Sequence, residues 1–236
     1  MSGPSPLSTM VETALAPYGL HPRGVARFPD GAGGPLLDDG QAARVVLLIG
    51  NVGGSMWQAF SNWRALEGNR ACADPLDHWS KQVIRNIATQ TGATAYFPSD
   101  PPYQPFQRWA MSAEGLRASP LGILIHPEFG LWHGYRGALA FAEDIFERQN
   151  APASAPPHPC DACTGRPCLA ACPVGAVTVD RFDVAACRQS LASEAGREGC
   201  MDKGCLARAA CPVGSHYRYP EGQLRFHMKA LVPPPD

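Results

Sequence analysis

Eight of the nine cysteines in this 236-residue chain fall between residues 160 and 211, and that clustering is the strongest chemical signal the sequence carries. The first part reads Cys160-x2-Cys163-x4-Cys168-x3-Cys172-Pro. After a lone Cys187 comes Cys200-x4-Cys205-x5-Cys211-Pro. Both halves end in Cys-Pro-Val-Gly, a degenerate internal repeat. Thiolates are soft ligands suited to iron–sulfur clusters and to zinc. Closely spaced thiolates wrap a metal centre with little loop entropy lost. No secretion signal is expected from Met-Ser-Gly-Pro-Ser-Pro at the N-terminus, so a cytoplasmic location and bound metal are expected rather than disulfides. Cys72 stands apart from the cluster and reads as a buried small hydrophobe.

The spacing is an expanded form of the two-cluster bacterial ferredoxin pattern, in which the fourth cysteine of each run ligates the other cluster. That crossover assigns Cys160, Cys163, Cys168 and Cys211 to one [4Fe–4S] cluster and Cys172, Cys187, Cys200 and Cys205 to a second. The alternative is a pair of structural zinc sites. No nucleophile–base pair or carboxylate dyad is legible, so no catalytic residue is named. A non-catalytic electron carrier stays open beside an oxidoreductase.

The elements around the cluster suggest an α/β or α+β domain over residues 1–150, a proline linker over 151–159 and a small cysteine domain over 160–236. Thr9 and Glu12 form a capping box for a helix ending before Pro17. Residues 21–29 read as an edge strand, and Arg44 to Ile49 as a strand buried on both faces. Ser55 is placed to cap a helix carrying Trp57, Phe60 and Trp63. Asp74-Pro75 opens a helix with Leu76, Trp79, Val83, Ile84 and Ile87 at helical spacing, closed by Gly92. Ala93 to Phe97 reads as a strand and Phe106 to Met111 as a short helix. Leu121 to His126 and Leu131 to Phe141 read as a hairpin, with a helical exit over Glu143 to Gln149. All five tryptophans precede residue 133, which puts the aromatic core in the first domain, and the Tyr217–Met228 tail is expected to pack back on it. The small domain has few large apolar residues and needs bound metal as a staple. A net charge of −1 without basic runs gives no footprint for nucleic acid. The longest apolar run, Val45 to Ile49, is too short to span a bilayer.

Residues 160–211 resemble the dicluster ferredoxin domain of epoxyqueuosine reductases and reductive dehalogenases, where a lone cysteine also lies between the halves. The N-terminal part resembles the CblC-type cobalamin-processing family. The matching segments are Thr13-Ala-Leu-Ala-Pro-Tyr-Gly19, Ala73-Asp-Pro-Leu-Asp77, and Gly122-Ile-Leu-Ile-His-Pro-Glu-Phe-Gly-Leu-Trp132 with Arg136-Gly137. The resemblance implies a flavin-reductase or nitroreductase-like domain holding a cobalamin-type cofactor, with flavin the lesser alternative. Two clusters would supply its electrons, received from a donor protein of the flavodoxin or ferredoxin-reductase type. It points to His126 as the pocket residue, with Trp132 and Tyr135 as further lining. The Asp-Thr-Gly-Pro and Gly-Leu-Gly-Trp-x-Gly-Lys segments of epoxyqueuosine reductases are absent; Glu114-Gly-Leu-Arg-Ala-Ser-Pro120 stands in place of the second. This argues against queuosine synthesis.

Overall fold

The computed structural model describes residues 6–146 and 157–232. They form two compact units, one within Met1–Gly115 and Gly134–Ala155, the other within Leu116–His133 and Pro156–Asp236. The sequence suggests one boundary in the proline-rich stretch; the structure instead gives Leu116–His133 to the cysteine-bearing unit. Most of that stretch lies outside the described residues, as does the expected exit helix from residue 147 on. Glu143 to Phe146 are described and are not helical.

The described strands are β1 (His21–Arg27), β2 (Val45–Val52), β3 (Thr94–Tyr96), β4 (Arg117–Ala118), β5 (Leu124–Ile125) and β6 (His133–Phe141). The sheet of the first unit runs in the order β1-β2-β6-β3. β1 pairs antiparallel with β2, with an irregularity between Pro22 and Val25, and β3 pairs antiparallel with β6. β1 is an edge strand, as its proline requires. β2 lies inside the sheet, and Val45 to Ile49 are almost wholly buried, which explains their unbroken apolar run. The Arg44 N–H donates to Phe141 O at 2.9 Å, and a Cβ at Gly50 would stand 2.1 Å from Gly134 O. These two contacts make β2 and β6 antiparallel, and only glycine allows the second.

The described helices of this unit are α1 (Pro6–Leu15), α2 (Trp57–Ala65), α3 (Pro75–Thr91) and α4 (Phe106–Glu114). α3 follows its pattern: all five predicted apolar positions are buried and Gly92 closes it with φ 67°. α1 starts at Pro6, so Thr9 lies inside the helix and is not its cap. Ser55 does not cap α2 either. Its hydroxyl donates to Gly19 O at 2.6 Å, and Met56 holds the N-cap position. α4 runs three residues beyond the expected Met111.

In the second unit the predicted hairpin is not formed. β5 pairs with β4 in a separate two-stranded sheet, and β6 belongs to the large one. Between them, His126 and Gly130 exchange backbone hydrogen bonds of 2.8 and 2.9 Å and close the Pro127–Gly130 turn. The rest is short helices: α5 (Pro167–Ala170), α6 (Val184–Ala192), α7 (Glu194–Gly196) running into a π-helical turn over Arg197–Met201, α8 (Leu206–Ala209) and α9 (Glu221–Lys229). The core is Leu121, Ile125, Leu131, Val177 and Ala207, with Cys160, Cys168, Cys172, Cys205 and Cys211 packed on it. Trp132 belongs here rather than to the aromatic core of the first unit. It packs with Tyr219 and Leu224, so the tail does return to a residue of the range 1–150, but inside its own unit. Among the described residues no helix is long and apolar enough to cross a membrane.

Candidate metal centre

The two halves of the cysteine repeat are built alike. Cys168-Leu-Ala and Cys205-Leu-Ala open α5 and α8, which pack on each other. Cys172 and Cys211 follow just after those helices, and each Pro-Val leads to a glycine in the left-handed region, Gly175 at φ 61° and Gly214 at φ 66°. The repeated Cys-Pro-Val-Gly is therefore a turn signature, with proline stopping the helix and glycine reversing the chain. Cys187 rides on α6, whose N-cap Asp183 accepts from the Ala186 N–H at 3.0 Å. Cys200 lies in the π-helical turn, a form found disproportionately at functional sites.

All nine cysteines are free thiols, none fully buried. Burial raises the Cys160 thiol pKa, and the charges of Cys211, Cys168 and Cys163 beside it raise it further. Burial likewise raises Cys211, with Cys168 and Cys163 adding to it against a lowering hydrogen bond from the Val213 backbone. Cys187 is raised by burial and then by Cys205, Cys200 and Cys172. The thiols thus influence one another in two sets of four, and each set unites residues from both halves of the repeat.

The first set rings a cavity of about 380 Å³, whose wall includes Cys160, Cys163, Cys168, Cys211, His158 and Ile125. In the second set, Cys172 Sγ accepts from the Ala176 N–H at 3.2 Å. Among the described residues, no three His, Cys, Asp or Glu side chains are gathered closely enough to hold a metal ion directly.

The three pocket residues inferred for a cofactor fall in both units and are engaged within the protein. His126 Nδ1 accepts from the Glu128 and Phe129 N–H groups at 3.0 and 3.1 Å, and its ring stacks on Phe129 at 4.1 Å. The nitrogen thus serves the turn. Trp132 is 1% exposed, with the Arg208 guanidinium 4.5 Å from its ring centre. Tyr135 lies in the first unit and donates to Glu114 Oε1 at 3.0 Å. Burial, reinforced by the Glu114 charge, holds its phenol well above the usual range.

Two groups escaped the sequence reading. His158 lines the thiol cavity, and its position two residues before Cys160 was the available signal. Arg23 and Glu114 form a 2.8 Å ion pair with side chains 4% and 11% exposed. Glu114 also accepts from the Gly24 N–H, and nothing local marks a pair 91 residues apart.

No protein-family model matches this sequence, and no curated protein matches it. A solved structure does: the B12-trafficking protein CblC of C. elegans, described as a homologue of human MMACHC. The match covers 95% of this chain and 91% of that one at 13% identity, with a TM-score of 0.51. The likeness is one of fold. Coverage of that extent reaches past residue 150, so it takes in much of the cysteine-bearing part rather than stopping at a separately appended module.

Proposed function

We propose that this protein is an iron–sulfur redox protein holding two [4Fe–4S] clusters, through which it passes electrons to a cobalamin-type cofactor. The reading is supported by the thiols whose charges act on one another, which group in the order that crossover would give. Cys211 joins Cys160, Cys163 and Cys168, while Cys172 joins Cys187, Cys200 and Cys205. This is the arrangement of two-cluster ferredoxins. Four thiols spread round a cavity suit a four-iron cube better than a single ion, whose sulfurs would converge on one point at about 2.3 Å. Bound clusters would supply one-electron transfer. The chain's own part is to present eight thiolates, to back them with the apolar core of Leu121, Ile125 and Val177, and to donate the Ala176 N–H to Cys172. Water exclusion and hydrogen bonds to sulfur are what set the potential of such a site.

The cobalamin part rests on the fold likeness to a B12-trafficking protein. His126, Trp132 and Tyr135 do not fit the role of corrin contacts as they stand, because each is taken up by the turn, the core or the Glu114 pair. No step is assigned to them. The same engagement favours a second reading, an electron carrier without its own corrinoid chemistry. A flavodoxin- or ferredoxin-reductase-type donor completes either reading.

The test is anaerobic reconstitution of the full chain with ferrous iron and sulfide, followed by EPR of the reduced protein and titration of cob(II)alamin. Two reduced-cluster signals and a base-on to base-off change in cobalamin absorption support the proposal. Clusters without any cobalamin change leave the carrier. Zinc retained in preference to iron and sulfide overturns the cluster assignment.

A further inference from the structure

His158 opens the segment that delivers Cys160 and Cys163, and its backbone is fixed there by the Asp161 N–H, which donates to His158 O at 2.9 Å. Its side chain is 10% exposed. The nearest carboxylate oxygen, Asp161 Oδ1, lies 3.9 Å from Nδ1, too far for a hydrogen bond. The His158 Nε2 is buried and has no hydrogen-bond partner among the described residues. Buried polar atoms are rarely left so. The residue also lines the cavity ringed by Cys160, Cys163, Cys168 and Cys211, and an occupant of that cavity rich in sulfur would offer the missing acceptor.

We propose that His158 is a positioning residue for the first centre: its Nε2–H donates to a sulfur of the inorganic group those four thiols hold, and this raises that group's reduction potential above its value without the bond. The inference rests on the cluster reading given above. The physical cause is electrostatic. A reduced cluster carries one more negative charge than an oxidised one, so a fixed N–H dipole at sulfur stabilises the reduced form more. His158 belongs to one set of thiols only, so the two centres should respond differently to its loss.

The full chain and its His158→Phe and His158→Gln variants are reconstituted anaerobically with iron and sulfide. Iron and acid-labile sulfide are counted, and both midpoint potentials are measured by EPR-monitored redox titration. The expected result is unchanged iron and sulfide, with one potential shifted negative in His158→Phe and the other unmoved. His158→Gln, which keeps an N–H donor, should recover much of the shift. Full cluster content with both potentials unmoved in His158→Phe overturns the inference and leaves the cluster reading intact. Loss of one cluster from both variants also overturns it, making His158 a ligand or a support of the fold. A wild-type chain that takes up no iron and sulfide overturns the cluster reading, and this inference with it.

Discussion

Glu114 has a carboxylate where burial alone would oppose charge, yet its pKa is lowered. Burial pushes it up, but the Arg23 charge, the Gly24 N–H, the Arg23 hydrogen bond and the Tyr135 hydroxyl together pull it further down. A folded pKa below the unfolded value of about 4.3 adds stability above that value and loses it as pH falls through the folded one. Glu114→Gln should therefore destabilise the first unit by about 3–5 kcal/mol at neutral pH, because the buried Arg23 charge loses the carboxylate 2.8 Å from it. The deficit should shrink as pH falls below about 4.3, where the unfolded carboxylate protonates, and go on shrinking down through the lower folded value. Urea titrations across pH would show this, and a deficit independent of pH would contradict it. His126 makes the opposite case, a residue marked by sequence for chemistry and used by the structure for a turn. His126→Ala removes the acceptor of two N–H groups, with an expected cost of about 1–3 kcal/mol. The reconstituted variant should keep its full iron. Iron loss would show that the turn, or the ring itself, supports a cluster.

Among the elements, the two Cys-Pro-Val-Gly turns look equivalent in sequence but should not tolerate change equally. Gly175 and Gly214 share a left-handed backbone, so an alanine at either costs about 1–2 kcal/mol. A Cβ at Gly175 meets nothing within 4 Å, whereas at Gly214 it would stand 2.3 Å from the Phe129 backbone carbon. At Gly130 it would stand 1.9 Å from Val213 O. The Pro127–Gly130 turn and the turn after Cys211 are thus pressed backbone to backbone. Gly175→Ala should lower the melting temperature slightly and keep all iron. Gly214→Ala should lower it far more and lose the cluster proposed for the set that contains Cys211; equal effects would contradict the close approach. The repeat itself was readable because its turn chemistry is local. α3 was readable for the same reason, since an apolar period with a cap and a closing glycine is self-contained. The predicted hairpin failed because strand pairing is not local. Leu121 to His126 has the composition of a strand, but within a sheet Leu124 and Ile125 pair with Arg117 and Ala118 upstream, and His126 bridges only to Gly130 in its own turn. The crossover of the thiols is an expectation from a known ligand order, while the Arg23–Glu114 pair leaves no trace in either neighbourhood.

At the scale of the molecule, the two units differ in what holds them together. The first buries many apolar side chains of β2, β6, α1 and α3. The second is built from short helices around a small core to which cysteines themselves contribute, so any metal bound there is part of its folding free energy. Cys163→Ala, which opens the first set, and Cys205→Ala, which opens the second, should each cost one cluster and lower the melting of the second unit alone. The tryptophans make the two transitions separable. Trp79 and Trp109 are 2% and 4% exposed in the first unit, and Trp132 is 1% exposed in the second. Subtracting the near-ultraviolet circular dichroism of Trp132→Phe from that of the parent isolates the signal of the second unit. Stripping the metal with chelator and oxidant should abolish that difference signal while Trp79 and Trp109 keep theirs and still melt cooperatively. Loss of both signals together would mean that the sheet unit does not stand without the cysteine-bearing one. Survival of both would mean that the eight cysteines are not what folds the second.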